Sequence, residues 1–380
     1  MTASLYDLDP GQLQELVAEA GEPAYRARQL AHWLDERRQP DPRAMTNLPG
    51  SLRTRLAERF AGAGLALDRH QAGDHGWTHK LLFRLPGGDA VESVLMLYPA
   101  AGSGPGRATV CISTQAGCAM GCTFCATGQF GFTRHLSAGE VVEQVARVST
   151  MLPELRPDPT APDHLTNVVF MGMGEPFANP SATWGAAWRL HRGFGLSARA
   201  ITISTVGLVP GIRRAAAEAL PVNLAVSIHA ADDALRDRLV PVNRTWPIAE
   251  LLGAVRGYVA ATRRRVSFEY ALMAGVNDDP AQGERLGRLL APLRVPGSGG
   301  HAAHVNLIPY NPTPGSAFEA PSRAAARRFR AAVAATGVPV SIRANRGVGI
   351  DAACGQLRTS AGRAGRTATL PLLDRPEEGR

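Results

Sequence analysis

The chain has 380 residues, 45% of them hydrophobic, which allows one large domain with a small accessory one. Its net charge of +8 favours a polyanion such as nucleic acid, although 40 arginines against one lysine also fit a genome-wide codon bias. No apolar run approaches the roughly 20 residues of a membrane span, no secretory signal pattern opens the sequence, and five cysteines, an odd number, do not suit a disulfide framework. Composition therefore predicts a cytoplasmic protein with reduced thiols and no membrane contact.

Residues 10 to about 68 carry helical patterns. Asp9-Pro10 is a helix-start signal, residues 25–38 place apolar side chains at helical spacing, and a third helix follows Pro49. Arginines lie on the helix faces opposite the apolar side chains. These faces are either simply solvated or, in the interpretation we favour, part of a helical domain that contacts RNA. We predict an N-terminal helical accessory domain over residues 1–68.

The pattern changes to β-structure at residues 78–98. Two apolar runs flank Pro86-Gly87-Gly88-Asp89, which predicts a β-hairpin within an extension over residues 69–103. Glu92 falls among apolar neighbours in the second strand. Its carboxyl group is either outward-facing and without a role, which is commoner, or inward-facing with a raised pKa.

From residue 104 onward, strand and helix patterns alternate. Strands are predicted at 108–114, 167–171, 200–205, 222–228, 265–272 and 303–309. Helices are predicted at 138–151, 181–192, 211–219, 247–262, 281–291 and 322–335. Six such repeats predict an α/β fold with a parallel sheet, a partial (β/α)6 barrel over residues 104–348. Residues 349–380 form a C-terminal segment whose polar tail beyond about residue 358 is expected to fray.

Three cysteines, Cys118, Cys122 and Cys125, stand in C-x3-C-x2-C spacing in one short loop after the first barrel strand. Iron–sulfur cubes usually take four cysteine ligands, so three would leave one iron open to a substrate. Two alternatives remain at this point. The cysteines could bind zinc together with a histidine such as His135, or they could be unrelated buried thiols.

Polar and glycine residues gather where the predicted strands end, which is the edge at which such barrels place their chemistry. Glycines let a ligand approach the backbone, and small polar side chains suit a carboxylate or a ribose. His229 is either a proton-handling group or, more commonly for such a position, a hydrogen-bonded core histidine. The candidate binding residues at these strand ends are Gly174, Glu175, Ser204, Ser227, His229 and Asn311.

Two further cysteines lie outside the C-x3-C-x2-C spacing. Cys111 stands just upstream of the cluster loop, and Cys354 lies in a glycine-flanked segment near the end of the chain. Such a segment gives a reactive thiolate the access that covalent chemistry requires. Both cysteines could also be incidental.

These features together resemble the RlmN/Cfr family of radical S-adenosylmethionine (SAM) RNA methyltransferases, and its RlmN branch most. The resemblance extends from about Glu92 to Leu357, with departures such as Ile228 and Tyr310 in place of Leu and Trp. The matching motifs are Cys118-x3-Cys122-x2-Cys125, Met171-Gly-Met-Gly-Glu175-Pro, Ile203-Ser204-Thr205, Ser227-Ile-His229-Ala, Asn306-Leu-Ile-Pro-Tyr-Asn311-Pro and Asp351-Ala-Ala-Cys354-Gly-Gln.

The resemblance implies a mechanism with one [4Fe-4S] cluster on Cys118, Cys122 and Cys125 and two SAM molecules per turnover. One SAM methylates Cys354, and a second yields a radical that activates the methyl group. The resemblance implies that SAM is bound by the candidate residues above together with Ile228. The carbon adds to C2 of an adenine, Glu92 accepts the C2 proton, and Cys111 releases the product by forming a transient disulfide with Cys354.

The implied substrates are adenine 2503 of 23S rRNA and adenine 37 of tRNA. The implied electron donor is a flavodoxin or ferredoxin, and the chain is expected to be a monomer. Arg263–Arg265, Arg343 and Arg346 are candidate phosphate contacts. The alternatives are Cfr-type methylation at C8 of the same rRNA adenine and, from another class, a non-catalytic zinc-containing RNA-binding protein.

Overall fold

The computed structural model of the protein describes residues 4–100, 106–313 and 316–357. Its first part is helical: α1 spans Pro10–Glu19, α2 Tyr25–Asp35 and α3 Gly50–Arg59. Asp9 caps α1 by accepting from the backbone N–H of Gln12, and Pro10 occupies the first helical position, as the start signal predicts. The three predicted helical segments are confirmed.

The strands are β1 Ala66–Gly73, β2 Thr78–Arg84, β3 Ala90–Tyr98, β4 Arg107–Cys111, β5 Gln115–Gly117, β6 Phe132–His135, β7 Asn167–Phe170, β8 Ile201–Thr205, β9 Asn223–Ser227, β10 Val266–Leu272, β11 Ala303–Pro309 and β12 Val340–Ile342. The remaining helices are α4 Ala126–Phe130, α5 Ala138–Leu155, α6 Pro180–Arg192, α7 Val209–Ala217, α8 Asp233–Leu239, α9 Ile248–Thr262, α10 Pro280–Leu290 and α11 Arg323–Ala335.

Ten of these strands form one sheet in the order β1-β2-β3-β4-β7-β8-β9-β10-β11-β12. The pairs from β4–β7 through β11–β12 are parallel, so every one of those strands ends at the same edge. The predicted α/β fold with six repeats is confirmed, and the short β12 adds a seventh parallel strand that the sequence analysis missed.

The predicted hairpin is also confirmed, but it is continuous with the main sheet. β2 and β3 pair antiparallel around Pro86–Asp89, and β3 pairs antiparallel with β4. A third strand, β1, pairs with β2 where the sequence analysis placed the end of the helical region. Its Asp68, Arg69 and His70 are exposed, so β1 lacks the alternation of apolar residues that would have revealed it. The domain boundaries stay a prediction, and the predicted frayed tail lies outside the described residues.

The N-terminal segment is docked on α5 by hydrogen bonds at the start of that helix. Asp7 accepts from the backbone N–H of Gly139 at 2.7 Å and from the Ser137 hydroxyl at 3.0 Å. Deeper in the interface, the buried Glu143 accepts from the Ser4 hydroxyl at 2.9 Å and from the N–H of Leu65 at 3.0 Å. These contacts fix the helical part against the sheet.

No helix within the described ranges is both long and apolar enough to cross a membrane.

Gly139→Ala should weaken the docking of the N-terminal segment. A Cβ at this position would lie 2.6 Å from the backbone nitrogen and carboxyl group of Asp7, closer than van der Waals contact permits. We expect a loss of about 1–3 kcal/mol in the free energy of unfolding, the usual cost of forced overpacking, measured by urea denaturation. The control is Gly257→Ala, because Gly257 lies in α9 and an added methyl group there would meet nothing within 4 Å, so this variant should gain about 0.5–1 kcal/mol. Equal effects of the two substitutions would contradict this account.

Candidate active site

A cavity of about 180 Å³ lies where the parallel strands end, beneath the loop that carries the three closely spaced cysteines. We call it the rim cavity. It is lined by Cys118, Met120, Cys122, Phe124, Cys125, Phe170, Met171, Gly172, Gly174, Glu175, Pro176, Ser204, Val206, Ser227, His229, Glu269, Ala271, Ile308, Tyr310, Asn311, Arg343, Cys354 and Gly355.

The cysteine loop is held between β5 and α4. The N–H of Cys118 donates to Gly131 O at 2.8 Å, and Gln129 donates to Cys122 O at 3.1 Å. Burial raises the pKa of Cys118 to about 12 and that of Cys122 well above its usual value, and the neighbouring thiols raise both further. A cationic metal group would relieve this cost by keeping the sulfurs as thiolates, so the donor set suits an iron–sulfur cluster.

The alternative of a zinc site completed by His135 is not supported by the position of that histidine. His135 lies on β6, its Nδ1 is 3.0 Å from Gln115 Nε2, and it does not line the rim cavity. In the described part of the chain, no three His, Cys, Asp or Glu side chains are grouped as ligands of a single metal ion. A four-iron cluster binds each thiolate through a different iron, so its ligands need not converge on one point.

Gly174 and Glu175 follow β7 in a tightly packed turn. Gly174 has φ +97°, and a Cβ on it would lie 2.6 Å from Gln115 Cβ, so the backbone conformation and the space both require glycine. The Glu175 carboxyl group accepts from the N–H of Phe177 at 3.0 Å and from that of Val206 at 2.7 Å. Burial raises its pKa to about 7, and these two hydrogen bonds oppose the shift.

His229 lies at the end of β9 with φ +56°, an uncommon conformation for a residue other than glycine. Its Nδ1 accepts from the backbone N–H of Ala271 at 2.9 Å, and burial lowers its pKa to about 3, helped by the nearby Arg236. The ring is therefore neutral and carries its proton on Nε2. At this rim His229 is suited to donate a hydrogen bond and unsuited to shuttle a proton near neutral pH.

Arg236 on α8 donates hydrogen bonds to backbone carbonyl groups just after β8 and at the end of β9. It is fully buried and donates to Val206 O at 2.7 Å, Ile228 O at 3.0 Å and Ser227 O at 3.1 Å. Ser227 lines the cavity, whereas the Ile228 side chain is buried in the core, as alternation along an extended chain requires. Ile228 can contribute to this site only through its backbone. The sequence analysis missed both α8 and Arg236.

Two buried acceptors in the rim cavity have no hydrogen-bond donor within the described residues. One is Asn311 Oδ1, whose amide nitrogen donates to Cys354 O at 3.3 Å. The other is Oε2 of Glu269 on β10, 3.6 Å from Arg343 Nη1. Such atoms are costly unless a ligand supplies donors, so they mark where a bound molecule would make hydrogen bonds. Glu269 was not predicted as a site residue. Its sequence signal, a glutamate between two aromatic residues of a strand, is of the same kind as the one that marked Glu92, a glutamate among apolar residues of a strand.

A second cavity of about 210 Å³, which we call the seam cavity, runs between the hairpin, β4 and the segment after β12. Its lining includes Cys111, Cys354, Arg343 and Arg346. Cys354 is exposed and lines both cavities, whereas Cys111 is buried at the end of β4. Burial raises the pKa of Cys111, and the nearby Cys354 raises it further. The structure thus brings the two remaining cysteines to one cavity.

Of the three candidate catalytic residues, Glu92, Cys111 and Cys354, Glu92 is the one that lines neither cavity. It is buried on β3 and forms an ion pair with Lys80, whose Nζ lies 3.3 Å from Glu92 Oε1. Val94 and Met96, two and four residues further along β3, do line the seam cavity. Because alternate residues share a face of a strand, Glu92 lies on the face that borders this cavity. Its role as a proton acceptor stays a prediction.

The candidate phosphate contacts separate into two groups. Arg343 lines both cavities, and Arg346 lies in the seam cavity with its guanidinium carbon 4.2 Å from the centre of the Tyr98 ring. Arg263–Arg265 precede β10 and so lie at the opposite edge of the sheet.

Arg236→Met should destabilise the protein by roughly 2–4 kcal/mol, because it removes the guanidinium that donates to the buried carbonyls of Val206 and Ser227, whereas Ile228 O still accepts from the N–H of Ala230. The matched control is Arg238→Met, an exposed residue of the same helix, which should change stability by less than about 0.5 kcal/mol. Guanidinium denaturation of both variants tests the difference, and a loss below about 1 kcal/mol at Arg236 would refute the structural role assigned to it.

Comparison with known protein families gives matches over two parts of the chain. Residues 3–61 match the ribosomal RNA large subunit methyltransferase N-terminal domain, and residues 112–283 match the radical SAM superfamily. The second match contains the cysteine loop and most of the strand ends that line the rim cavity.

Similar proteins align over nearly the whole chain. A probable dual-specificity RNA methyltransferase RlmN from Chloroflexus aurantiacus is 51% identical over 93% of this chain and 92% of its own length. A protein of the same description from Salinispora tropica is 48% identical, covering 94% of this chain and 93% of its own. The crystal structure of a radical SAM methyltransferase from Sphaerobacter thermophilus matches with a TM-score of 0.85 and 48% identity, over 94% of this chain and 99% of the other.

The predicted class of fold, a radical-SAM barrel with a helical N-terminal part, is confirmed by these matches. The family implies a [4Fe-4S] cluster, SAM and an RNA substrate, and the rim cavity offers three thiols and unsatisfied polar groups that fit such ligands. These matches support a radical-SAM RNA methyltransferase and give no support to the alternative of a non-catalytic zinc-containing RNA-binding protein. The chain belongs to the RlmN/Cfr family of radical-SAM RNA methyltransferases.

Proposed function

We propose that the protein methylates C2 of adenine 2503 in 23S rRNA and adenine 37 in tRNA through an S-methylated cysteine. One observation carries the proposal. Cys354 lines the rim cavity together with Cys118, Cys122 and Cys125, and it lines the seam cavity together with Cys111. A methyl carrier must reach both the site where it is activated and the thiol that later releases it, and Cys354 is the residue that lies between the two.

In this proposal Cys118, Cys122 and Cys125 hold one [4Fe-4S] cluster, and SAM lies against Gly174, Glu175, Ser204, Ser227, the Ile228 backbone, His229 and Asn311. When bound, the cluster and two SAM molecules per turnover supply the methyl group and the radical chemistry. The neutral His229 and the Glu175 turn orient the ligand. Asn311 Oδ1 offers an acceptor for a ligand hydroxyl or amino group.

Cys354 and Cys111 then act in sequence. The sulfur of Cys354, which lines both cavities, takes up the methyl group and presents its carbon to the adenine base. Glu92 accepts the proton that leaves C2. The Cys111 thiolate attacks the Cys354 sulfur, so that an S–S bond forms and the bond between sulfur and the RNA-bound carbon breaks. The electron pair of the broken bond stays on that carbon, which takes up a proton and becomes the methyl group. The resulting disulfide is transient because a cytoplasmic protein is returned to its reduced state.

The substrate assignment is supported by chemistry and by the relatives. Adenine C2 is neither nucleophilic nor acidic, so polar methyl transfer does not reach it, and a base in folded RNA must be unstacked to enter a cavity. The net charge of +8 suits an RNA partner. The description of the relatives as dual-specificity enzymes supports two kinds of RNA. We further propose a cytoplasmic monomer that receives electrons from a flavodoxin or ferredoxin.

Cys354→Ala should abolish methylation, because it removes the carrier sulfur while leaving the three cluster cysteines in place. The measurement is mass spectrometry of nucleosides from rRNA and tRNA after reaction with the anaerobically reconstituted enzyme. Wild type should yield 2-methyladenosine in both RNAs. Product from the variant would refute the carrier role, and 8-methyladenosine from wild type would assign the protein to the Cfr type instead.

Cys111→Ala should stall the enzyme after the RNA has been joined to Cys354, because no thiol remains to break the carbon–sulfur bond. Denaturing gel electrophoresis should show a protein–RNA adduct that is absent from wild type and from Cys354→Ala. Release of methylated RNA at the wild-type rate would show that another group resolves the adduct.

A further inference from the structure

The seam cavity carries an excess of positive charge. Its described lining includes three arginines, Arg107, Arg343 and Arg346, and no aspartate or glutamate. Arg343 is compensated in part by Glu269, whose Oε2 lies 3.6 Å from Arg343 Nη1. In the described part of the chain, neither Arg107 nor Arg346 forms an ion pair with a carboxylate. A cavity lined by charges of one sign attracts the opposite charge, so this cavity favours an anionic ligand.

Arg107 and Arg346 contact the same aromatic ring. The guanidinium carbon of each lies 4.2 Å from the centre of the Tyr98 ring. Arg107 is the cross-strand partner of Tyr98 in the β3–β4 pair, whereas Arg346 reaches the ring from the segment after β12. The electron-rich face of the ring attracts each cation and restricts its motion, but the ring has no net charge that would neutralise either one.

This arrangement keeps two positive groups close together, and we call Tyr98, Arg107 and Arg346 the arginine clamp. The two guanidinium carbons are at most twice 4.2 Å apart, because each lies at that distance from one ring centre. Like charges at such a separation repel each other, and the described lining supplies no carboxylate to offset the repulsion. Each guanidinium group presents its N–H donors in a planar fork that matches the oxygen atoms of a phosphate group. The clamp therefore suits a phosphate that bridges the two arginines.

The rest of the seam cavity offers surfaces that suit a nucleobase. Its lining also contains apolar side chains that can pack against a planar ring, together with the two thiols of the proposed reaction: Val94, Met96, Val169, Ile308, Cys111 and Cys354. A nucleotide combines a planar base with a charged phosphate, and this one cavity presents both kinds of surface. Arg107 is exposed, so an RNA chain can reach the clamp from the solvent.

We infer that the arginine clamp binds a phosphodiester group of the substrate RNA, at one of the two linkages that flank the adenosine to be methylated. The inference rests on the proposed function. Contacts to phosphate groups fix the position and register of a nucleic-acid strand without reading its sequence. The clamp holds the RNA backbone while the unstacked base lies in the seam cavity near Cys354. Tyr98 acts through the two arginines and does not itself contact the RNA.

The test compares Arg107→Met with wild type. Arg107 is exposed, whereas Arg346 also donates to Leu97 O at 3.1 Å, so that its replacement would disturb the backbone as well. The full chain is titrated without SAM against synthetic tRNA and 23S rRNA fragments that contain the target adenosine, and affinity is measured by filter binding. In further RNAs, one flanking phosphodiester is replaced by an uncharged methylphosphonate. At one of the two linkages this replacement should weaken binding to wild type about tenfold, the lower end for a hydrogen bond to a charged group.

Arg107→Met should bind the unmodified RNA about tenfold more weakly than wild type. The methylphosphonate should weaken its binding by less than about threefold further, because the contact is already lost. The slope of log affinity against log salt concentration should fall in magnitude by about 0.7–1. The matched control is Arg285→Met, which replaces an exposed arginine of α10 that lines neither cavity. This control should keep the full sensitivity of wild type to the methylphosphonate.

Two results would overturn the inference: a wild type that is insensitive to both flanking methylphosphonates, or an Arg107→Met variant that keeps the wild-type sensitivity to them. If thermal unfolding shows that Arg107→Met does not fold, Arg107→Gln takes its place with the same two outcomes. The proposed function fails separately, if reconstituted wild type forms no 2-methyladenosine in either RNA. Because binding is measured without SAM, that failure is distinguishable from a loss of the coupling between Arg107 and the flanking phosphate.

Discussion

The parallel register of the sheet is the constraint on which the site depends. Along the sheet order β4-β7-β8-β9-β10-β11 each strand pairs parallel with its neighbour, so residues far apart in sequence reach one edge. Ser204 near the end of β8 and Glu175, His229 and Asn311 after the ends of three other strands meet around one cavity for this reason. The three cysteines need only a short loop after β4 to be placed above the same edge. A shift of one strand by one residue would turn its rim side chains into the core.

Buried polar groups then hold the backbone at this edge of the sheet in a single conformation. Arg236 holds the carbonyl groups at the ends of β8 and β9, Glu175 holds two backbone N–H groups, and His229 accepts from the neighbouring strand. Each group is desolvated, and each is compensated by hydrogen bonds that only one backbone geometry satisfies. The acceptors on Asn311 and Glu269 that have no donor within the described residues lie in the middle of this fixed frame. The frame is thus held by hydrogen bonds within the chain itself.

Much of this could be predicted from the sequence because the signals are local. Helix starts such as Asp9-Pro10, the alternation of strands and helices, and the cysteine spacing each depend on a few adjacent residues. Arg236 and Glu269 were missed because their roles arise from partners brought close by the fold. β1 was missed because its exposed polar residues carry no periodic apolar signal. Ile228 was grouped with its neighbours by motif alone, whereas the alternation of side chains directs it into the core.

The position of β1 also has a consequence for how the protein behaves in concentrated solution. As the outermost strand of the sheet among the described residues, it presents one row of backbone groups that no other described strand pairs with. Asp68, Arg69 and His70 are exposed along that row, and the pairing with β2 shifts register between Leu67 and Arg69. Charge and irregularity on a border strand oppose edge-to-edge association of one molecule with another. The polar residues that kept β1 from being predicted as a strand are therefore the same residues that oppose aggregation through this edge of the sheet.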